Sequence, residues 1–349
     1  MLREARKITH KGQNQTTEHK IVLSFMSCEL PSDFGLPPAR FPTFRTGQLD
    51  YAESLVLSPA RFPLFNAPCG SGKSLIYWMS SVLLDLRTLI LTPQIQLQEQ
   101  LMRDFGPDAG GDLACVMGQS RYQCDTFHNC EIGAANECPA RRASQGQPGR
   151  CPYLKAQDVA RGSKRVVANT AFWHTQGRIK ASPSESGPPP GIGSFDMLVI
   201  DEGHKAPEAL ADFCAIKLVE REIEELLDTS CPSTSRLSVW SQWARQIAPS
   251  ASLRARKCEN PREKLKLLSL SRDLSELSSI EADRGTKWIY QSSDREHSFT
   301  PVWATRHAEP LLFQGIQKCI LTSATLLPTI WRYLGISESD TEYTDVANT

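Results

Sequence analysis

The 349-residue sequence lacks any apolar run near the roughly 20 residues that a membrane-crossing helix needs, which argues against a spanning protein. It also lacks net charge. Lys plus Arg number 39 and so do Asp plus Glu, so the total is silent about partners and any basic surface must be local. No secretory leader is recognisable. The stretch "IVLSFM" is too short for an apolar signal core and no cleavage pattern follows it, so the chain is expected to work inside a cell. There is no internal repeat. The 11 cysteines of an intracellular chain this size read as metal ligands or buried thiols, not as a disulfide frame. Residues 1–40 are polar and then proline-rich, and are expected to be a poorly ordered leader in which Met26 is an alternative start. A second break is "ASPSESGPPPGIGS" (181–194), a turn-rich loop that neither strand nor helix tolerates.

What is present is a phosphate loop. "RFPLF" (61–65) has the pattern of a strand and "SLIYWMSSVLLDL" (74–86) that of a helix, with "APCGSGKS" between them. Gly70 and Gly72 allow successive N–H groups, with that of Ser71, to point into one concavity, and the helix adds its positive end. Lys73 would reach the β- and γ-phosphates, and the Ser74 hydroxyl would ligate Mg²⁺. Ala67 stands where the strict pattern has glycine, a form usual in helicases, whose loop often reads A-P-T-G-S-G-K-T; here Cys69 occupies the threonine position.

"FDMLVIDEGHKAP" (195–207) supplies the second half of a nucleotide site. "MLVI" reads as a central parallel strand covered on both faces, with Asp201 at its carboxyl end, where open α/β sheets place ligands. Asp201 suits a Mg²⁺ held through water, Glu202 suits orientation and deprotonation of the attacking water, and His204 suits relay of nucleotide state. The plain alternative is a strand ending in a solvated acidic turn. Together the two motifs predict an α/β fold, a RecA-like P-loop parallel sheet flanked by helices, that binds ATP with Mg²⁺.

Three more segments extend the pattern. In "FPTFRTGQLDYAESL" (41–55), Gln48 offers the donor and acceptor that an adenine edge requires, with Arg45 or Phe44 as a clamp. "TLILTPQIQLQEQLMRDF" (88–105) is a strand, a Thr-Pro turn and an amphipathic helix. "KCILTSATLLP" (318–328) is a buried strand ending in Ser323, Ala324 and Thr325.

Between these motifs lie Cys124, Cys130, Cys138 and Cys151, where an even spread would leave roughly one. No Cys-x-x-Cys pair occurs among them, which argues against an ordinary zinc ribbon. On spacing alone an iron–sulfur cluster, zinc and unligated thiols all remain open. The same region is locally basic. Arg141, Arg142, Arg150, Lys155, Arg161, Lys164, Arg165, Arg178 and Lys180 face only Asp158 between positions 139 and 184, interleaved with Tyr153, Phe172 and Trp173. That mixture is expected to suit single-stranded DNA, with Arg141, Arg142 and Tyr153 as candidate contacts; a solvated surface is the alternative.

"FRTGQ", "APCGSGKS", "LTPQIQLQEQ", "DEGH" and "LTSATL" stand in the order found in superfamily 2 helicases. Over residues 41–346 the chain resembles the iron–sulfur DNA helicases of the XPD and DinG type. Gly203 replaces the alanine of the usual D-E-A-H box. The resemblance implies hydrolysis by Lys73, Ser74, Asp201 and Glu202, adenine reading by Gln48, and coupling of hydrolysis to movement by Ser323 and Thr325. It implies a [4Fe–4S] cluster on Cys124, Cys130, Cys138 and Cys151, since the family's cluster domain lies here and its last cysteine begins Cys-Pro-Tyr. Cys115 is the substitute should one assignment fail. Thr92, Gln94 and Asn169 become candidate DNA contacts, Asn169 being alternatively a loop cap.

The implied organisation is a leader (1–40), a motor domain in three pieces (41–113, 167–204 and 300–349), a cluster domain (114–166) and a helical Arch-like insertion (205–299). A second RecA-like domain is expected after "TEYTDVANT". Its arginines would complete the ATP site, so this chain alone is expected to hydrolyse and unwind poorly, as a fragment or as half of a two-chain machine. The implied function is an ATP-dependent DNA helicase of 5′-to-3′ polarity acting on single strands or forks, cytoplasmic and nucleoid-associated in a bacterial or phage setting. Two other readings compete: a nucleic-acid-binding or regulatory subunit with a retained ATP site, and a zinc-stabilised P-loop ATPase.

Overall fold

A computed structural model of the chain describes residues 30–143, 149–181, 191–281 and 285–346. The leader through residue 29, with Met26, and residues 182–190 of the proline-rich break lie outside the described residues. Among the described residues no helix is long and apolar enough to cross a membrane.

Among the described residues, ten strands form two sheets. They are β1 (Phe62–Asn66), β2 (Thr88–Thr92), β3 (Leu113–Val116), β4 (Arg165–Asn169), β5 (Met197–Asp201), β6 (Ile216–Val219), β7 (Trp288–Ser293), β8 (Glu296–Pro301), β9 (Lys318–Ser323) and β10 (Thr341–Asp345). Seven of them make one sheet in the order β10-β1-β9-β5-β2-β4-β3, and every pairing in it is parallel. The expected α/β parallel sheet flanked by helices is the observed one. Its central strands are apolar along their whole length because helices cover both faces. All five residues of β2 and of β5 are buried. Apolar side chains of alternate direction then feed two cores. Leu89, Leu91, Leu198 and Ile200 enter one, and Ile90, Met197 and Val199 enter the other.

Helices Gln48–Leu57, Lys73–Leu83 and Ile95–Phe105 belong to the second core, through Leu55, Ile76, Tyr77, Trp78, Leu101 and Phe105. Part of the presumed leader joins them. Residues Pro31–Phe34 form a short 3₁₀ turn, and Phe34 and Leu36 are buried in the same core, Phe34 edge-on to Phe44. The expectation of poor order therefore does not hold from Pro31 onward: two large apolar side chains there gain burial worth about 1.5–3 kcal/mol each.

The segment 205–299, expected to be helical, is mixed. Helices Leu237–Lys257 and Pro261–Ser279 pack around the fully buried Trp240. A three-stranded antiparallel sheet, β6-β8-β7, closes the same core. The strands were legible in principle, since Ile216 and Leu218, and likewise His297 and Phe299, alternate buried with outward neighbours at period two. Each run is short, and the long helical pattern around it dominates.

Candidate functional site

The loop after β1 is shaped by two glycines in left-handed backbone, Gly70 (φ +83°) and Gly72 (φ +84°). At Gly72 a methyl group would also meet the Gln48 amide nitrogen, so a side chain there would strain the backbone and displace Gln48 from the loop. Lys73 opens the helix, and its ammonium donates to Ala67 O (3.0 Å) and Pro68 O (3.3 Å) across the loop.

Gln48, 3% exposed, donates to Ser71 O (3.0 Å) and accepts from Arg45 N (2.9 Å); the Arg45 guanidinium in turn bonds Gly70 O. Both ends of the Gln48 amide thus brace the loop. Arg45, Gln48, Tyr51, Gly70, Ser71 and Ile76 line a cleft of about 440 Å³ beside it.

Asp201 ends β5 and is 8% exposed. Its Oδ1 accepts from Glu202 N (3.0 Å), and its Oδ2 accepts at 3.5 Å from the hydroxyl of Tyr77, which lies on the helix that Lys73 opens. Tyr77 therefore joins the two sequence motifs. Motif reading passed over it, although it lies one turn beyond Lys73 on the same helical face. Burial, then the neighbouring Glu202 charge, raises the Asp201 carboxyl from 3.8 to about 6, against a weaker downward pull from Lys73.

Glu202 takes left-handed backbone (φ +53°), which turns the chain sharply beneath β9. His204 Nδ1 then meets Ser323 Oγ at 2.7 Å, and Glu202 Oε2 lies 3.4 Å from both. Ser323 Oγ also accepts from Thr325 N (3.1 Å). Ser323 is fully buried and Thr325 is exposed. Gly203 fits this tight turn, because a methyl there would lie 3.2 Å from Leu321 Cβ. Asn66 fastens the same edge, accepting from Leu326 N and donating to Asp345 Oδ1, both at 2.9 Å. Lys73, Ser74, Asp201, Glu202, His204 and Ser323 thus gather at the carboxyl ends of neighbouring strands β1, β9 and β5.

The cysteines converge in part. Cys130 and Cys151 sulfurs are 3.2 Å apart and those of Cys124 and Cys138 are 3.9 Å apart. The pairs adjoin: after burial and Cys151, the Cys124 thiol also helps push the Cys130 thiol up to about 12. Gly133 leaves room beside the second pair, its missing methyl facing Cys138 Cβ at 3.2 Å and Cys124 Sγ at 3.7 Å. Among the described residues no group of three or more Cys, His, Asp or Glu is already arranged as a metal cage. Cys115 lies apart, on β3.

The candidate DNA contacts fare differently. Tyr153 is 3% exposed, edge-on to Tyr122 and Phe172, and its hydroxyl accepts from Gln157 (2.8 Å). Phe172 and Trp173 are buried too. These rings have no face to offer a base, because they complete the core below β4. The basic run is also less available than its composition suggests. Arg142 pairs with Glu137, Arg150 and Arg161 with Asp158, Lys164 with Asp85, Arg165 with Asp112 and Arg178 with Glu276. Arg141 lies over the Tyr153 ring at 5.8 Å. Asn169 Oδ1 accepts from Phe172 N (2.7 Å) and caps the helix Thr170–Ala181. Thr92 is buried with its hydroxyl on Gln94 O (3.2 Å), while Gln94 is exposed.

A parallel sheet with a glycine-shaped loop after its first strand and a buried carboxylate ending the strand two places away defines a RecA-like α/β protein. Among solved structures, the chain is similar to one described as a truncated XPD, with 86% of this chain matched to 100% of that one, 16% identity and a TM-score of 0.57. It is similar also to an XPD helicase, with 86% of this chain against 61% of that one, 15% identity and a TM-score of 0.52. The fold is thus that of these XPD structures, and the chain spans about 61% of the length of the longer one. No family model matches the chain, and no curated protein matches it in sequence.

Proposed function

We propose that the chain is the MgATP-binding motor half of an iron–sulfur DNA helicase. One observation carries the reading: Tyr77, on the helix that Lys73 opens, bonds Asp201 while His204 links Glu202 to Ser323, so both nucleotide motifs and the Ser323 loop share one sheet edge. Lys73 and the N–H groups around Gly70, Ser71 and Gly72 hold the phosphates, and Ser74 and Asp201 hold Mg²⁺. Glu202 orients the attacking water and takes its proton. The cleft beside Arg45 and Gln48 receives the adenine, with Gln48 exchanging one of its loop bonds for the base. His204 and Ser323, already bonded, carry the change at Glu202 into the loop that ends at Thr325.

The donor set of four thiols in two adjoining pairs, buried or half-buried, fits a [4Fe–4S] cluster, which Cys124, Cys130, Cys138 and Cys151 would hold. The cluster would tie residues 114–166 together as a rigid wall for the strand. Residues 205–299 form the Arch-like insertion opposite it. Efficient hydrolysis and unwinding require arginines from a second RecA-like domain, in the same polypeptide or a partner. The 5′-to-3′ polarity follows the resemblance.

The test is nucleotide binding and DNA-stimulated hydrolysis by anaerobically purified chain, with and without an added second motor domain. Lys73→Ala should abolish nucleotide binding, whereas Glu202→Gln should keep binding and lose at least about 100-fold in turnover. Equal turnover in Glu202→Gln and parent would refute the hydrolytic reading and favour a regulatory subunit. A colourless preparation carrying stoichiometric zinc would replace the cluster.

A further inference from the structure

The rings and cations that looked suited to a strand in the sequence are buried or paired, yet a comparable set lies exposed elsewhere. Trp303 follows β8 and is 51% exposed; Tyr333, on the helix Ile330–Leu334, is 39% exposed. Their ring centroids are 5.3 Å apart at an interplanar angle of 38°. Such rings are normally turned inward, and here the backbone prevents it. Ile330 and Leu334 occupy the buried side of the short helix, which leaves Tyr333 outward. Val302 N is bonded to Lys287 O (2.7 Å), which fixes the exit from β8 and the place of Trp303.

With Gly285, Thr286, Lys287, Thr305 and Arg332, the two rings border an open cavity of about 620 Å³. No carboxylate lines it among the described residues. Lys287 and Arg332 are exposed and make no ion pair among those residues, and Arg306 lies against Gly285 on the same rim. This is the reverse of the 139–184 run, where six of the nine cations carry a carboxylate partner.

We infer that Trp303 and Tyr333, flanked by Lys287 and Arg332, form a stacking platform for single-stranded nucleic acid. Every base has a face that an exposed ring can cover, and a phosphate is favoured by a cation nearby; this surface offers both, and among the described residues no carboxylate lines it. The platform hangs from the loop that leaves Ser323, through the buried Leu326 and Ile330. A strand held there is attached to the same loop that touches His204 at the proposed nucleotide site. The inference rests on the proposed DNA-binding function and places part of the strand path on a surface distinct from the cysteine region.

The test is binding of a fluorescently labelled oligo(dT) to the full chain, read by anisotropy over a salt series. Trp303→Ala and Tyr333→Ala should each weaken binding about tenfold, as the loss of one base–ring stack implies. Lys287→Ala should reduce the slope of log affinity against log salt by about 0.7, the value for one phosphate contact on a single strand. All three side chains are exposed, so thermal melting should be unchanged. Parent-like affinity in both ring variants overturns the platform and leaves the motor reading standing. Failure of the parent to bind the oligonucleotide overturns both. Self-association of the parent that is lost in Trp303→Ala, with strand binding unaltered, would assign the surface to a second copy and overturn the inference.

Discussion

Asp201→Asn separates what the nucleotide site requires from what the apo fold prefers. The carboxyl is nearly inaccessible, and its ordinary value of 3.8 is raised to about 6 by burial first and by Glu202 second. Between those two values the folded chain holds a proton that the unfolded chain has released. Stability is therefore fully present below 3.8, declines as pH rises through about 6, and is constant above it. At about 1.4 kcal/mol per pH unit, ionised Asp201 costs the fold about 3 kcal/mol at pH 8 and about half of that at pH 5. Asparagine has the same shape. Its oxygen can keep the Glu202 N–H (3.0 Å in the parent), and its amide nitrogen takes the Oδ2 position facing the Tyr77 hydroxyl. Contributions that do not titrate cancel when the two pH values are compared. Urea denaturation should thus show the variant's stability relative to parent improving by roughly 1 to 2 kcal/mol from pH 5 to pH 8, while Mg²⁺-dependent nucleotide binding is lost. A relative stability that does not change between the two pH values would refute the burial argument. Retained Mg²⁺-dependent binding would refute the role of Asp201 in holding the metal.

Two further outcomes concern residues with unexpected partners. Asn169→Ala removes the acceptor of Phe172 N and should cost about 1 kcal/mol in denaturation with DNA affinity unchanged; lowered affinity at parent stability would return Asn169 to the strand path. Arg165→Ala deletes a side chain that bonds Asp112 (2.7 Å) and Ser81 (2.7 Å) and covers the Trp78 ring at 4.9 Å. It should destabilise the chain by about 2 kcal/mol with little effect on oligonucleotide binding, measured by denaturation and anisotropy. A loss of binding at parent stability would place Arg165 on the strand.

Features encoded within a dozen residues were legible from the sequence. The glycines at 70 and 72, the lysine after them and the continuous apolar run before Asp201 each dictate local backbone or burial, so loop, strand and helix followed from them. The order of strands and the meeting of the Lys73 helix with Asp201 through Tyr77 required the sheet, since β9, more than a hundred residues downstream, inserts between β1 and β5. Charge was the least legible property. Arg150 finds its carboxylate eight residues away, but Lys164 pairs with Asp85 and Arg178 with Glu276, and a composition window cannot contain such partners. Ring exposure failed for the same reason: Tyr153 lies inside and Trp303 outside because neighbours distant in sequence cover one and leave the other bare. The sequence by itself determined the glycine-shaped loop, the acidic strand end and the four-cysteine set. Tertiary packing alone decided which cations and rings face solvent, because solvent exposure and ion pairing belong to the assembled surface and not to any stretch of chain.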